Sequence, residues 1–199
     1  MVNGPASAVL VTGARGFLGP RVVAELLAAG YAVVEYNRET VPAPGRTGHT
    51  VEQGELDDIP RLLRVLREHR VACIAHLAAQ SHPDVSLAAP WATMAGNVLG
   101  STGVLEAARA AEVKRVVLIG SESAYGETDN VAALTEDMPF RPTTPYGVSK
   151  AAVDLLGHVY RSRYGLDVIV LRIGQIYGPG QRLPEDIHDL IRLGLDKFG

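Results

Sequence analysis

The chain has 199 residues, enough for one well-packed α/β domain but too few for a dinucleotide domain plus a full second one. Hydrophobic residues make up 47% and charged residues 21%, which excludes wholesale disorder, and no run approaches the ~20 apolar residues of a membrane span. A net charge of −3 gives no reason to expect nucleic acid or an anionic membrane as partner; the single cysteine, Cys73, excludes an internal disulfide, and without a signal-peptide pattern a reducing cytoplasm is the expected location.

Short runs rich in β-branched residues alternate with longer segments of helical period. The first strand is expected at Ala8 to Thr12, followed by a helix over Gly16 to Ala29, a strand at Ala32 to Tyr36 and a weaker one near His49 to Gln53. A helix over Ile59 to His69 leads to a strand at Ala72 to Leu77, which carries Cys73 as a packed thiol. A long helix over Trp91 to Glu112, a strand at Arg115 to Gly120, a helix over Tyr146 to Tyr164 and a strand at Asp167 to Arg172 complete the series. Leu26, Leu27, Leu62, Leu63, Val65 and Leu66 supply apolar helix faces, while Thr40 to Gly48 and Gly126 to Pro145 read as loops. Strands alternating with helices, joined by right-handed crossovers, give an α/β fold with a doubly wound parallel sheet.

The first strand runs into Gly13-Ala14-Arg15-Gly16-Phe17-Leu18-Gly19 with a helical segment behind it. Strand, glycine turn and helix in that order present free backbone N–H groups and a positive dipole end where a pyrophosphate can sit. Tyr146-Gly147-Val148-Ser149-Lys150 places a phenol and an ammonium four residues apart, on one face of a helix. A cation beside the phenol favours the phenolate, so Tyr146 is the candidate base and Lys150 its expected modulator.

The G-x-x-G-x-x-G spacing resembles the extended short-chain dehydrogenases, the NAD-dependent epimerase/dehydratase group, and the resemblance continues along most of the chain. His76-Leu77-Ala78-Ala79 is similar to the family's H-L-A-A strand end, and Gly54-Glu55-Leu56-Asp57-Asp58 to its G-D-L-x-D motif, with Glu55 in place of the acid that meets the adenine. Ser121-Glu122-Ser123-Ala124-Tyr125-Gly126 resembles the family segment that ends in Y-G. Alignment on Tyr125 and Gly126 puts the catalytic hydroxyl on Ser121, with Ser123 the second choice. In a dehydratase of the family an acid and a base follow that hydroxyl; Glu122 stands at the acid's position, but Ser123 stands at the base's. Asn97 matches a family asparagine, with a catalytic or a helix-packing role open to it, and Ile176-Tyr177-Gly178-Pro179-Gly180 resembles a turn that passes near the nicotinamide.

The resemblance implies a Rossmann domain over residues 1–180, with 181–199 the start of a truncated substrate region. It implies cofactor contacts from Gly13, Gly16, Phe17, Leu18, Asn37, Arg38, Glu55, Leu56, Leu77, Ala78, Ala79, Asn97, Tyr146 and Lys150. The family's ribose-binding carboxylate falls on Asn37, with Arg38 next to it, which favours NADP over NAD unless Arg38 is only a solvated loop charge. No metal site is expected. The implied function is hydride transfer of the epimerase type on a nucleotide sugar or related alcohol, in a homodimer paired through the helices at Trp91 to Glu112 and Tyr146 to Tyr164. The competing reading is a non-catalytic NADP-binding module acting as a redox sensor or scaffold.

Overall fold

The computed structural model describes residues 8–39, 45–127 and 133–178. The expected substrate-region start at 181–199, Pro179 and Gly180 lie outside them, as does part of each expected loop. Six strands, β1 (Ala8–Thr12), β2 (Ala32–Asn37), β3 (His49–Gln53), β4 (Val71–His76), β5 (Arg115–Ser121) and β6 (Asp167–Ile173), form one sheet in the order β3-β2-β1-β4-β5-β6. Every pairing is parallel, so all six strands end on the same edge. The order turns back between β1 and β4, and the crevice beyond the strand ends at that point is where α/β sheets bind ligands.

Helices α1 (Gly19–Ala28), α2 (Ile59–Glu68), α3 (Pro83–Ala88), α4 (Pro90–Met94), α5 (Gly100–Ala110) and α6 (Pro145–Tyr164) fill the connections. Strand alternation splits the core in two. Leu10, Val34, Ile74, Val116 and Leu118 pack with Leu62, Val65 and Leu66 of α2, Val104 and Leu105 of α5 and Val153 of α6. Val9, Val11 and Val33 turn the other way, onto Val23, Leu26 and Leu27 of α1. On that second face Cys73, Ala75, Val117 and Ile119 are only half-buried and Leu171 is exposed, so the thiol is less deeply packed than its apolar run implies.

Three helix boundaries differ from the sequence reading. Helix α1 begins at Gly19, because Gly13 to Leu18 form a turn closed by the Gly16 amide donating to the Gly13 carbonyl, and Pro20 suits a first turn that needs no donor. Helix α3 arises where no helix is expected; Pro83 opens it and the buried Ser86 donates to the Pro83 carbonyl. The long helix expected from Trp91 is broken into α4, a π turn at Ala95–Leu99 and α5, and the wide turn carries Asn97.

Candidate dinucleotide and catalytic site

A cleft of about 830 Å³ opens along the C-terminal edge of β1, β2 and β4, a volume within the range of small-molecule sites. Gly13, Arg15 and Gly16 form one wall, Asn37, Arg38 and Glu55 to Asp57 the adjoining end, and Ala78 to Gln80 with Thr93 and Gly96 the far wall. Gly13 has φ +67°, and a Cβ there would stand 2.6 Å from the Ala78 amide nitrogen. Only glycine lets the β1 turn touch the β4 turn. Gly13, Arg15 and Gly16 therefore border an open cleft just ahead of α1, with the Gly16 amide turned in to the Gly13 carbonyl, and a helix N-terminus opening on a cleft suits a dinucleotide pyrophosphate.

Below this wall His76 is buried between the Thr12 hydroxyl (2.7 Å) and the Ser101 hydroxyl (3.0 Å), and Thr12 Oγ1 also accepts from the Ala78 amide. Burial, with the charge of Lys150 adding to it, pushes the His76 pKa down to about 3, so the ring is neutral. It is a structural tie between β1, β4 and α5. At the β2 end, Glu35 is buried, its carboxylate 2.7 Å from His49 Nε2 and accepting from Asn37 Nδ2 at 3.3 Å. Arg15 stands 3.6 Å from the same carboxylate and half-exposed, which puts a second guanidinium in the cleft with Arg38.

Of the residues expected to meet the cofactor, Gly13, Gly16, Asn37, Arg38, Glu55, Leu56, Ala78 and Ala79 line the cleft; Phe17, Leu18, Leu77, Asn97, Tyr146 and Lys150 do not. Leu77 packs against the α1-side core. Phe17 points toward the Tyr177-Gly178 turn after β6, where a Gly178 Cβ would stand 3.8 Å from its ring. Asn97 is buried: its Oδ1 accepts from the Gln80 amide and its Nδ2 donates to the Gln80 carbonyl and to Ser149 Oγ. Both of its N–H groups are spent on protein, which favours the packing role over contact with a reacting group. Arg15, Gln80 and Thr93 are cleft residues that the sequence reading did not pick out; Arg15 is visible in the glycine motif, but its approach to Glu35 depends on β2 register.

Ser121, Tyr146 and Lys150 come together at the end of β5. Thr144 caps α6 by accepting from the Gly147 amide, Pro145 follows at the first position, and Tyr146 is buried in the first turn. A Cβ on Gly147 would lie 2.4 Å from the Ser123 carbonyl, so this glycine lets the helix start press against the β5 turn. The Tyr146 phenol hydrogen-bonds Ser121, whose Oγ also accepts from the Ser123 amide. Lys150 is buried, donates to the Ile119 carbonyl at 2.7 Å, and holds its Nζ 5.7 Å from the Tyr146 ring centroid.

The electrostatics differ from the simple picture of a lysine depressing a tyrosine. Burial raises the Tyr146 pKa above 10.0, the Ser121 hydrogen bond works against that, and Glu122 adds to the rise. Burial also lowers Lys150 to about 8. Desolvation is the largest influence on the phenol and Lys150 is not among the groups that shift it, since the ammonium is turned toward Ile119. His82 is exposed at the start of α3 and Trp91 is 82% exposed on α4, and neither lines the cleft.

A glycine turn at the switch point of a six-stranded parallel sheet, with a Ser/Tyr/Lys group one strand further on, defines a Rossmann-type α/β protein of the dehydrogenase kind. The chain belongs to the NAD dependent epimerase/dehydratase family, whose model matches residues 9–197. It is 31% identical to a dTDP-glucose 4,6-dehydratase of Xanthomonas campestris pv. campestris over 92% of this chain and 56% of that enzyme. Among solved structures, the Thermus thermophilus UDP-glucose 4-epimerase in complex with NAD superposes with a TM-score of 0.80 at 35% identity, over 87% of this chain and 57% of that one. MoeE5 in complex with UDP-glucuronic acid and NAD gives 0.81 at 36% identity, over 94% and 60%. The chain thus spans little more than half the length of the relatives it matches.

Among the described residues no helix is long and apolar enough to cross a membrane, and no cluster of His, Cys, Asp and Glu could hold a metal ion.

Proposed function

We propose that the chain is the dinucleotide-binding and catalytic portion of an NAD(P)-dependent oxidoreductase or isomerase acting on a nucleotide sugar or related alcohol, with hydride transfer of the epimerase type. The observation that carries this reading is the Ser121, Tyr146 and Lys150 cluster beside the glycine-walled cleft. A bound nicotinamide ring supplies the hydride acceptor. Ser121 orients the substrate oxygen with its hydroxyl, one of whose two lone pairs is already taken by the Ser123 amide. Tyr146 takes the hydroxyl proton as the carbinol carbon gives up its hydride, and in an epimerisation it gives that proton back to the same oxygen when the hydride returns to the opposite face of the ketosugar. Lys150 holds a positive charge 5.7 Å from the centre of the phenol ring.

Solved relatives of both chemistries resemble this chain, so the family does not separate epimerase from dehydratase. The β5 turn favours the former: a dehydratase needs a base where Ser123 stands, and a serine hydroxyl is no base of that kind. The preferred cofactor on this reading is NADP, since Asn37 stands where the family's ribose-binding carboxylate would be, and Arg15 and Arg38 both line the cleft. The expected assembly is a homodimer through α5 and α6, where Leu155 and Val159 are exposed on α6. Domain 1–180 carries the cofactor and 181–199 begins the substrate region; Cys73, unpaired, suits a reducing cytoplasm.

Conversion of each member of a panel of nucleotide sugars in the presence of NADP, followed by chromatography of the sugar products, tests the reading, with Tyr146→Phe as control. Turnover should fall by roughly 100-fold or more in the variant while dinucleotide affinity survives. Dinucleotide binding with no turnover on any sugar, and no effect of Tyr146→Phe, would leave the non-catalytic binding module in its place.

A further inference from the structure

Tyr146 is held by its backbone from two directions, and both holds lead to the same cleft residue. Its amide, in the first turn of a helix where no backbone acceptor is available, donates to Ser86 Oγ of α3 at 3.0 Å. Its carbonyl accepts from Ser149 Oγ at 2.7 Å. Ser86 and Ser149 are both completely buried, so neither bond is replaceable by water.

The first branch runs back through α3. Ser86 donates its own amide to the His82 carbonyl, and that carbonyl also accepts from Gln80 Nε2 at 2.8 Å. The second runs through the π turn. Ser149 accepts from Asn97 Nδ2 at 2.9 Å, and Asn97 grips the amide and carbonyl of Gln80 at 2.8 and 3.0 Å. Gln80 is further pinned by Thr93, whose hydroxyl donates to its Oε1 at 3.2 Å. It lines the cleft beside Ala78 and Ala79. The loop is closed: Gln80, α3 and Ser86 to the Tyr146 amide, and Gln80, Asn97 and Ser149 to the Tyr146 carbonyl.

We infer that Gln80 couples occupancy of the cleft to the placement of Tyr146, with Ser86 and the Asn97–Ser149 pair as the two positioning branches. A dinucleotide seated against residues 78–80 braces both branches at once, and the phenol is then held in register with Ser121. The wide turn at Ala95–Leu99 is explained by the same demand, because it carries Asn97 where both Gln80 and Ser149 can be reached. This inference rests on the dinucleotide reading of the cleft.

Amide hydrogen exchange with and without NADP, read by mass spectrometry on this chain, separates the possibilities. In wild type NADP should slow exchange in the glycine turn, residues 13–19, and in the first turns of α6, residues 146–150, by roughly tenfold. In Ser86→Ala, and in Gln80→Ala at NADP concentrations raised to saturate it, the slowing at 13–19 should persist and that at 146–150 should largely vanish, with exchange over residues 153–160 unchanged. Ser149→Ala tests the second branch alone, in case Ser86→Ala does not fold. In a version with turnover, Ser86→Ala should also move the basic limb of the pH profile, which a loss of stability alone does not do. Protection of 146–150 by NADP in all three variants overturns the coupling and leaves the cofactor reading standing. Absence of any NADP protection at 13–19 in wild type overturns both.

Discussion

Lys150 points its ammonium at the Ile119 carbonyl, 2.7 Å away, rather than at the phenol of Tyr146 four residues before it. The side chain is 4% exposed, and burial lowers its pKa from 10.5 to about 8. A cation whose folded pKa lies below its unfolded one costs stability at neutral pH. The cost is fully present below pH 8 and fades as pH rises toward 10.5, because over that window the unfolded chain holds a proton that the folded one has released.

Lys150→Met should therefore unfold at a higher denaturant concentration than wild type at pH 7, by on the order of 1–3 kcal/mol after the lost Ile119 contact is subtracted. The gap should close as pH approaches 10. Equal midpoints at pH 7, or a less stable variant, would mean that the ammonium is better compensated than its burial implies. Such a charge, costly to the fold, is what a catalytic site retains for chemistry.

Glu122 raises the Tyr146 pKa through its charge, while the Ser121 hydrogen bond lowers it. If Tyr146 is the base, the rate rises with pH as the phenol ionises. Glu122→Gln should shift that rise to lower pH, and Ser121→Ala should shift it to higher pH and also depress the plateau by roughly 10-fold or more. Rate–pH profiles of the three proteins on one substrate decide it; shifts of the same sign would rule out this arrangement around the phenol.

The strands were legible because Ala8 to Thr12 or Arg115 to Gly120 are unbroken runs that only a doubly covered sheet can bury. The glycine turn and the Tyr146–Lys150 spacing were legible because each is fixed by local geometry. What was not legible depends on distant chain. Helix α3 is six residues long, too short to show a period, and is held by contacts with Gln80 and Tyr146. Asn97 matches a motif, but only the π turn reveals that its amide faces Gln80 and Ser149 instead of the cleft. The sign of the Tyr146 shift needed the depth of burial, which four-residue spacing cannot report.

Two glycines of the turn separate folding from binding. A side chain at Gly13 meets a positive φ and the Ala78 backbone, so Gly13→Ala should lose on the order of 1–3 kcal/mol of stability. At Gly16 the nearest atom to an added Cβ is the Gly13 carbonyl at 3.3 Å, and the residue faces the cleft. Gly16→Val should fold almost as well as wild type yet bind NADP at least roughly tenfold more weakly by calorimetry. Undiminished affinity would mean that the pyrophosphate does not sit on this turn.

His76 is neutral in the fold, with a pKa of about 3 against 6.5 for the free ring. The unfolded chain takes up a proton as pH falls through 6.5 and the folded chain does not, so stability is lost progressively between pH 6.5 and 3. His76→Gln, which keeps a side chain able to bridge Thr12 and Ser101, should flatten the acid limb of a denaturation midpoint plotted against pH, by about 2 kcal/mol or more at pH 4. Parallel acid limbs in the two proteins would assign the acid sensitivity to other groups.

On the proposed function, the choice of dinucleotide turns on Asn37 and Arg38 at the end of β2 and on Arg15 of the glycine turn. The neighbours of known structure hold NAD, so a preference for NADP here would have to come from this chain's own residues. Asn37 is bound to Glu35, and Asn37→Asp would set a second carboxylate against that buried acid, confounding specificity with stability. The arginines are the cleaner test. Arg38 is exposed at the cleft end, and Arg15 is steered there by Glu35, whose charge His49 shares. Each guanidinium that reaches a 2′-phosphate makes a charge-assisted hydrogen bond worth about 1.5–3 kcal/mol, or roughly a tenfold to hundredfold change in affinity. Arg15→Ala and Arg38→Ala should each weaken NADP while leaving NAD within about twofold, since NAD has no group at that position. The same variants should lose 2′,5′-ADP binding in parallel, which isolates the phosphate from the nicotinamide half. Wild type binding NAD more tightly than NADP, with both variants indifferent to the 2′-phosphate, would remove the arginines from cofactor choice and make NAD, the dinucleotide bound in the solved relatives, the cofactor here.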